Sequence, residues 1–504
     1  MKRMLKGILS VCLLSIMPTT ALTAPQHWVG TWSTAPQLVE PQNNPPSPPG
    51  LTNNTIRQIV HVSIGGDSLK MRFTNEFSNS PVTMISVHIA VSKGGGVIDT
   101  TTDRTLYFNG NPEVTMAPKG AVWSDPFPFH LQPLGDVAIT IYFGSTSPDV
   151  SGHPGSRTTS YILTGNAVTR AAFTGAVTTD HWYVINTIDV WAPENAHAVA
   201  ILGNSITDGR GSGTNKQDRW PDELSRRFQA NPATREVGVL NEGIGGNCVL
   251  KACLGPSAVN RFKRDVLDQS GIKWLVILEG INDIGGAAAG QGSKVAQDLI
   301  SAFSAMIDSA HARGILVYGA TILPFGGSFY DSPDHQVAWQ TVNDWIRHGG
   351  RFDGVIDLDS ALQDPANPAK MLPIDDSGDH LHPNETGHHN MAEAVDLNLF
   401  VASSGTGMNG NSGNQPDKFS LSQNYPNPLN PSTTISYSIP TSSFVSLRVF
   451  DVLGNIVASL ADGTKQAGNY AVSFDGNGLS SGVYFYQLKT SSGFQETRKL
   501  LLLQ

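Results

Sequence analysis

Ala198-Val-Ala-Ile-Leu-Gly-Asn-Ser-Ile-Thr-Asp-Gly209 runs five apolar residues straight into a glycine and a serine. A short, wholly apolar run of this kind reads as a strand buried on both faces, and the glycine lets the chain turn sharply at its end. Four further apolar runs follow: Val237 to Leu240, Trp274 to Leu278, Ile315 to Tyr318 and Val355 to Leu358. Between them lie amphipathic segments of helical length, among them Asp222 to Gln229, Ser293 to Arg313 and Gln336 to Arg347. Strands separated by helices need crossover connections, which predicts an α/β domain with a parallel sheet over residues 197–402.

Outward from this domain the pattern changes on both sides. Residues 25–196 alternate apolar and polar positions in short runs broken by Gly, Pro, Asn and Ser, as in Thr55 to Ile64, Leu69 to Phe73, Thr83 to Val91 and Val137 to Phe143. That periodicity predicts a β-sandwich. Residues 403–418 carry Gly, Ser and Asn, lack the apolar residues needed to fold and read as a flexible linker. Residues 419–504 alternate again, with strands expected at Ile435 to Ile439, Val445 to Phe450, Tyr470 to Phe474 and Val483 to Leu488, which suggests a small β-sandwich.

Residues 1–24 read as an export signal, with Lys2, Arg3 and Lys6 before an apolar run from Gly7 to Met17 and small residues between Ala21 and Ala24. The run is too short to span a bilayer. Once the signal is gone, Cys248 and Cys253 are the remaining cysteines, and in an oxidising space they are predicted to pair. The net charge of −9 over 504 residues, with no basic cluster, argues against nucleic-acid binding.

Four loops at strand ends hold groups suited to chemistry, each with an ordinary alternative. Ser205 follows the first strand, where a serine is commonly a helix cap. Asn241-Glu-Gly-Ile-Gly-Gly-Asn247 follows the second, and its glycines either aim backbone N–H groups at a ligand oxygen or simply turn the chain. Asn282, after the third, offers a neutral amide donor or a turn residue. Asp379-His-Leu-His-Pro383 sets His382 three residues after Asp379, so the carboxylate can hold one ring nitrogen while the other takes a serine proton. Metal binding competes at this last loop, because His380, His382, His388 and His389 lie beside Asp375, Asp376 and Asp379. A helix starting near Asn384 would turn His388 and His389 away from it. Together the four loops specify acyl transfer by Ser205, His382 and Asp379, with no cofactor or metal required.

These four segments resemble, in order, the sequence blocks of the SGNH/GDSL hydrolases. The resemblance implies a flavodoxin-like α/β/α domain, with the backbone N–H groups of Ser205 and Gly246 and the side chain of Asn282 as an oxyanion hole. It extends through Gly255-Pro-Ser-Ala-Val-Asn-Arg-Phe262, and Trp28-Val-Gly-Thr-Trp32 is similar to the β-domain that accompanies one branch of these esterases. Within that domain His153-Pro-Gly-Ser-Arg157 reads as a surface turn, with reach to the site's rim as the second reading. One departure is Asn204, where the family's first block carries aspartate.

The C-terminal unit resembles the type A sorting domain of type IX secretion, through Gln423-Asn-Tyr-Pro-Asn-Pro-Leu-Asn-Pro-Ser432, Gly482-Val-Tyr-Phe-Tyr486 and the Lys499-Leu-Leu-Leu ending. A carbohydrate-binding module is the rival reading. The resemblances imply a secreted or surface serine esterase, passing through the periplasm to the type IX machinery and acting on short acyl or acetyl esters, acetylated polysaccharides included. A longer-chain lipase and a weakly active carbohydrate-binding protein are the alternatives.

Overall fold

The computed structural model describes residues 25–401, 418–422, 424, 427, 429 and 431–502. The expected export signal, nearly all of the expected linker and part of the Gln423 to Ser432 motif lie outside them. Five strands, β1 (His197–Gly203), β2 (Val237–Gly243), β3 (Ile272–Leu278), β4 (Leu316–Ala320) and β5 (Gly354–Ile356), form a sheet in the order β2-β1-β3-β4-β5. Every neighbouring pair is parallel. This is the flavodoxin-like order, and its reversal at β1 opens a crevice at the carboxyl ends of the strands.

Successive residues of β1 serve opposite faces, which explains the unbroken apolar run. Ala200 and Leu202 pack with α3 (Gly292–His311) and α4 (Pro333–His348) through Leu299, Phe303, Trp339 and Val342. Val199 and Ile201 pack on the other face with α2 (Trp220–Ala230) and α5 (Glu385–Glu393) through Trp220, Leu224, Phe228 and Met391. The expected strand from Val355 to Leu358 is corrected at its end. Asp357 accepts a hydrogen bond from Ser360 N and caps a short helix, Leu358–Leu362, so the strand stops at Ile356.

The N-terminal region folds as two large antiparallel sheets around one core, with Leu69, Met71, Ile188 and Val190 from one facing Ile56, Val60, Ile89 and Ile139 from the other, and a small three-stranded sheet of Gln37–Leu38, Ser151–His153 and Trp182–Tyr183 beside them. It joins the α/β domain without a gap. Gly30 N donates to Ser270 O at 3.0 Å, Val239 N donates to Ser63 Oγ at 2.9 Å, and Leu240 of β2 belongs to the β-domain core.

Residues 432–502 form a second β-sandwich around Ile435, Tyr437, Val445, Leu447, Tyr486 and Leu500. Two of its strands, Ile456–Lys465 and Gln495–Leu502, were not expected from the sequence. Ile456–Lys465 alternates between exposed and half-buried positions, so its apolar periodicity is weak.

Candidate active site

Ser205 begins α1 (Ser205–Asp208), a single turn at the end of β1. Asn204 caps that turn, its side-chain oxygen accepting from Ile206 N at 3.1 Å. The Ser205 hydroxyl lies 2.8 Å from His382 Nε2. His382 Nδ1 donates to Asp379 Oδ2 at 2.7 Å, while Asp379 Oδ1 accepts from the backbone N–H groups of His382 at 2.9 Å and Leu381 at 3.0 Å. The three-residue return from Asp379 to His382 is thereby locked by main chain as well as side chain. With the proton on Nδ1 committed to Asp379, the lone pair of Nε2 faces the hydroxyl.

Electrostatics agree with this arrangement. Burial pushes the His382 imidazole below its ordinary value, Asp379 pulls it upward, and Arg210 and Arg157 add to the lowering. Burial works against ionisation of Asp379, yet hydrogen bonds from His382 prevail and bring it to about 2. At neutral pH the base is free to accept a proton and its partner is a carboxylate. A hydroxyl, a neutral imidazole and a carboxylate in line can generate an alkoxide-like nucleophile without a metal.

The expected oxyanion donors lie at the ends of β1, β2 and β3. Ser205 N–H belongs to the first turn of a helix, where backbone donors have no intrahelical partner. Gly246 holds φ of +68°, a left-handed conformation that favours glycine in the loop after β2. Asn282 is oriented from both ends of its amide: Nδ2 donates to Asn247 O at 2.7 Å, and Oδ1 accepts from the Tyr330 hydroxyl at 3.1 Å. Cys248 and Cys253 form a disulfide immediately after Asn247.

Two groups beside these were not identified from the sequence, and a third had reach to the site's rim only as its second reading. Tyr330 is one. Arg261 is the second: its buried guanidinium donates to Gly203 O at 2.9 Å, Glu242 O at 2.6 Å and Asn247 Oδ1 at 3.0 Å, joining the ends of β1 and β2 and the following loop. The third is His153, which corrects the surface-turn reading. His153 is buried, with Nε2 2.8 Å from Asp208 Oδ1 and Nδ1 2.9 Å from Ala35 O, so the β-domain grips the helix that carries Ser205.

The histidines weighed as metal ligands are dispersed. His380 pairs with Asp376, His389 with Glu223, and His388 lies between Trp220 N and Arg210 O. Asn204 also donates to Glu279 Oε2 at 3.3 Å. Burial raises the Glu279 carboxyl to about 8, so at neutral pH it is largely protonated, and its 3.6 Å approach to Arg261 is not counted as an ion pair.

Residues 201–389 match the family described as GDSL-like Lipase/Acylhydrolase, and residues 423–503 match the Secretion system C-terminal sorting domain. No curated protein matches the chain significantly. Similar solved structures include a GDSL-like lipase from Bacteroides thetaiotaomicron, 20% identical, covering 39% of this chain and 84% of its own, TM-score 0.29. Another is a catalytic mutant of an acetylxylan esterase from Geobacillus stearothermophilus, 19% identical, covering 40% and 92%, TM-score 0.30. A carbohydrate acetylesterase family member from Sinorhizobium meliloti is 13% identical, covering 40% and 97%, TM-score 0.32. The central domain, over residues 201–389, is thus a GDSL-like lipase/acylhydrolase domain, of the kind that serves serine ester hydrolysis, and residues 423–503 form a secretion-system C-terminal sorting domain.

Proposed function

We propose that the protein is a secreted carboxylic-ester hydrolase for short acyl or acetyl esters, acetylated polysaccharides among them, working through an acyl-enzyme on Ser205. The observation that carries this reading is the continuous chain of contacts from the Ser205 hydroxyl through His382 to Asp379. His382 takes the serine proton as Oγ attacks the ester carbonyl, then returns it to the leaving alcohol; water repeats the sequence to release the acid. The N–H groups of Ser205 and Gly246 and the amide of Asn282 receive the developing negative charge. Export through the signal at residues 1–24 and the sorting domain would bring the enzyme to extracellular esters, and among the described residues no helix is long and apolar enough to cross a membrane.

A 4-nitrophenyl ester series from acetate to palmitate tests the reading, with turnover expected on acetate and butyrate and little on palmitate. In the same assay kcat/KM should be full at neutral pH and fall in acid as His382 protonates. Burial lowers that group, so the midpoint of the acid limb should lie below about 6.5, the value of an unperturbed imidazole. A preference for palmitate would replace the short-ester reading with a lipase, and an acid limb above the ordinary imidazole range would remove His382 as the base.

Asn282 and Tyr330 separate donation from positioning. Asn282→Ala is expected to lower kcat by about 100- to 1000-fold, the usual effect of deleting an oxyanion donor. Tyr330→Phe removes only the hydroxyl that orients the amide, so about a 3- to 10-fold fall in kcat is expected, one neutral hydrogen bond's worth. KM should change little in either variant. Equal losses in the two, or a change confined to KM, would mean that the amide does not meet the transition state.

A further inference from the structure

Most charged groups around the Ser205–His382 pair are matched. Asp379 holds His382, Asp376 holds His380, Asp208 holds His153, Asp222 holds Arg219 and Glu385 holds Lys216. Of the cations whose charge bears on His382, two are left over. Neither the guanidinium of Arg157 nor that of Arg210 has a hydrogen bond or a carboxylate partner among the described residues, and Arg157 Nε is buried without any acceptor.

Main chain fixes where both begin. Arg210 N donates to Ser205 O at 2.8 Å, and Arg210 O accepts from His388 at 3.1 Å, so the residue stands between the nucleophile turn and α5. Arg157 ends the loop in which His153 bonds Asp208. That loop lies hard against α1: a Cβ on Gly155 would fall 1.9 Å from Asp208 Oδ2. Asn215 N donates to Arg157 O at 2.9 Å, and Arg157 itself holds a left-handed φ of +52°. A non-glycine residue in that region is strained and persists where its surroundings over-determine it.

Both positive charges are close enough to His382 to weaken its basicity, a penalty for the free enzyme. A buried donor without an acceptor is a second one. An anion between the two guanidiniums would relieve both. Their planar forks match a carboxylate in shape and charge. We propose that Arg157 and Arg210 form an anion subsite beside Ser205 that receives a carboxylate carried by the ester substrate, on either its acyl or its alcohol half. The subsite rests on the reading of Ser205 as nucleophile, and it narrows the substrates to acidic esters, such as acetylated uronic-acid glycans or half-esters of dicarboxylic acids.

Two matched comparisons test it in the full chain. For the acyl half, kcat/KM is measured on 4-nitrophenyl hydrogen succinate against 4-nitrophenyl butyrate. For the alcohol half, acetate release is measured from acetylated polygalacturonate against acetylated xylan. The anionic member of at least one pair should be favoured about tenfold, the worth of one charge-assisted hydrogen bond, and the pair that shows it identifies the half that carries the charge. Arg157→Gln, Arg210→Gln and the double variant should bring that ratio progressively towards one, and 0.5 M salt should erode it in the wild type. Arg210 is exposed, so its variant remains informative if Arg157→Gln fails to fold. Hydrolysis of butyrate with no anionic preference in either pair overturns the subsite and leaves the esterase reading standing, and a preference that survives the double variant overturns it too. A folded chain that hydrolyses no member of either pair overturns both.

Discussion

Ser205→Ala should reduce ester turnover by at least about 1000-fold while leaving the protein folded. In the proposed mechanism the hydroxyl supplies the atom that forms the acyl-enzyme, and it is the group in 2.8 Å contact with His382 Nε2. The loss in stability should be small, because the substitution deletes one hydrogen bond at a site built to be opened by substrate, worth about 1 kcal/mol. The cap on α1 comes from Asn204 and is untouched. Activity and stability therefore separate in this variant. His382→Ala should cost about as much, and the double variant little more than either, since the residues of such a unit act together. Initial-rate assays on 4-nitrophenyl acetate, with circular dichroism to confirm folding, decide the matter. If Ser205→Ala kept about a tenth of wild-type turnover, the nucleophile would lie elsewhere, because no triad so depleted retains that much.

The residues of this site that the sequence singled out share one property: each is announced by its own strand end or loop, although Ser205 and His382 stand 177 residues apart. Asp379 and His382 are three residues apart, and the bonds that lock them stay within that loop. Ser205, Gly246 and Asn282 each sit just beyond the end of a strand that an apolar run announces, and a parallel sheet delivers such ends to one crevice. What escaped the sequence has no such local announcement. Tyr330 meets Asn282 from 48 residues away, and His153 meets Asp208 from 55. Nothing in the composition of His153-Pro-Gly-Ser-Arg157 distinguishes a buried contact from a surface turn. Glycine and proline serve both, and the deciding fact is the fit of Gly155 against Asp208. The stop of β5 at Ile356 was missed for a different reason. Leu358 continues the apolar run, but the side chain of Asp357 offers the backbone a helix cap and ends the strand. Arg261 stood in a stretch already recognised as resembling the family, and its role depends on where two strand ends and the loop after them converge.

Arg261→Met should be the most destabilising of the substitutions considered, by about 3 kcal/mol. The guanidinium is fully buried, and its donors satisfy carbonyl oxygens of Gly203 and Glu242, the side chain of Asn247 and, at 3.1 Å, Asp265 Oδ2. Methionine fills similar volume but donates nothing, leaving these acceptors buried and unpaired. Breaking a buried pair from one side ordinarily costs about 3–5 kcal/mol, and two features hold this case at the lower end. Glu279 is raised to about 8 by burial and so leaves little negative charge behind at neutral pH. Asp265 keeps a second partner in Arg264. Catalysis should suffer separately, because Asn247 carries the carbonyl that holds Asn282, and Gly203 precedes the nucleophile turn. Urea unfolding of the wild type, Arg261→Met and Arg261→Lys separates charge from geometry. Lysine restores the charge without the fork, so it should recover part of the stability and less of kcat. A methionine variant as stable and as active as the wild type would show that the two strand ends hold their positions without the guanidinium, and that the loop after β2 is set by the disulfide and backbone alone.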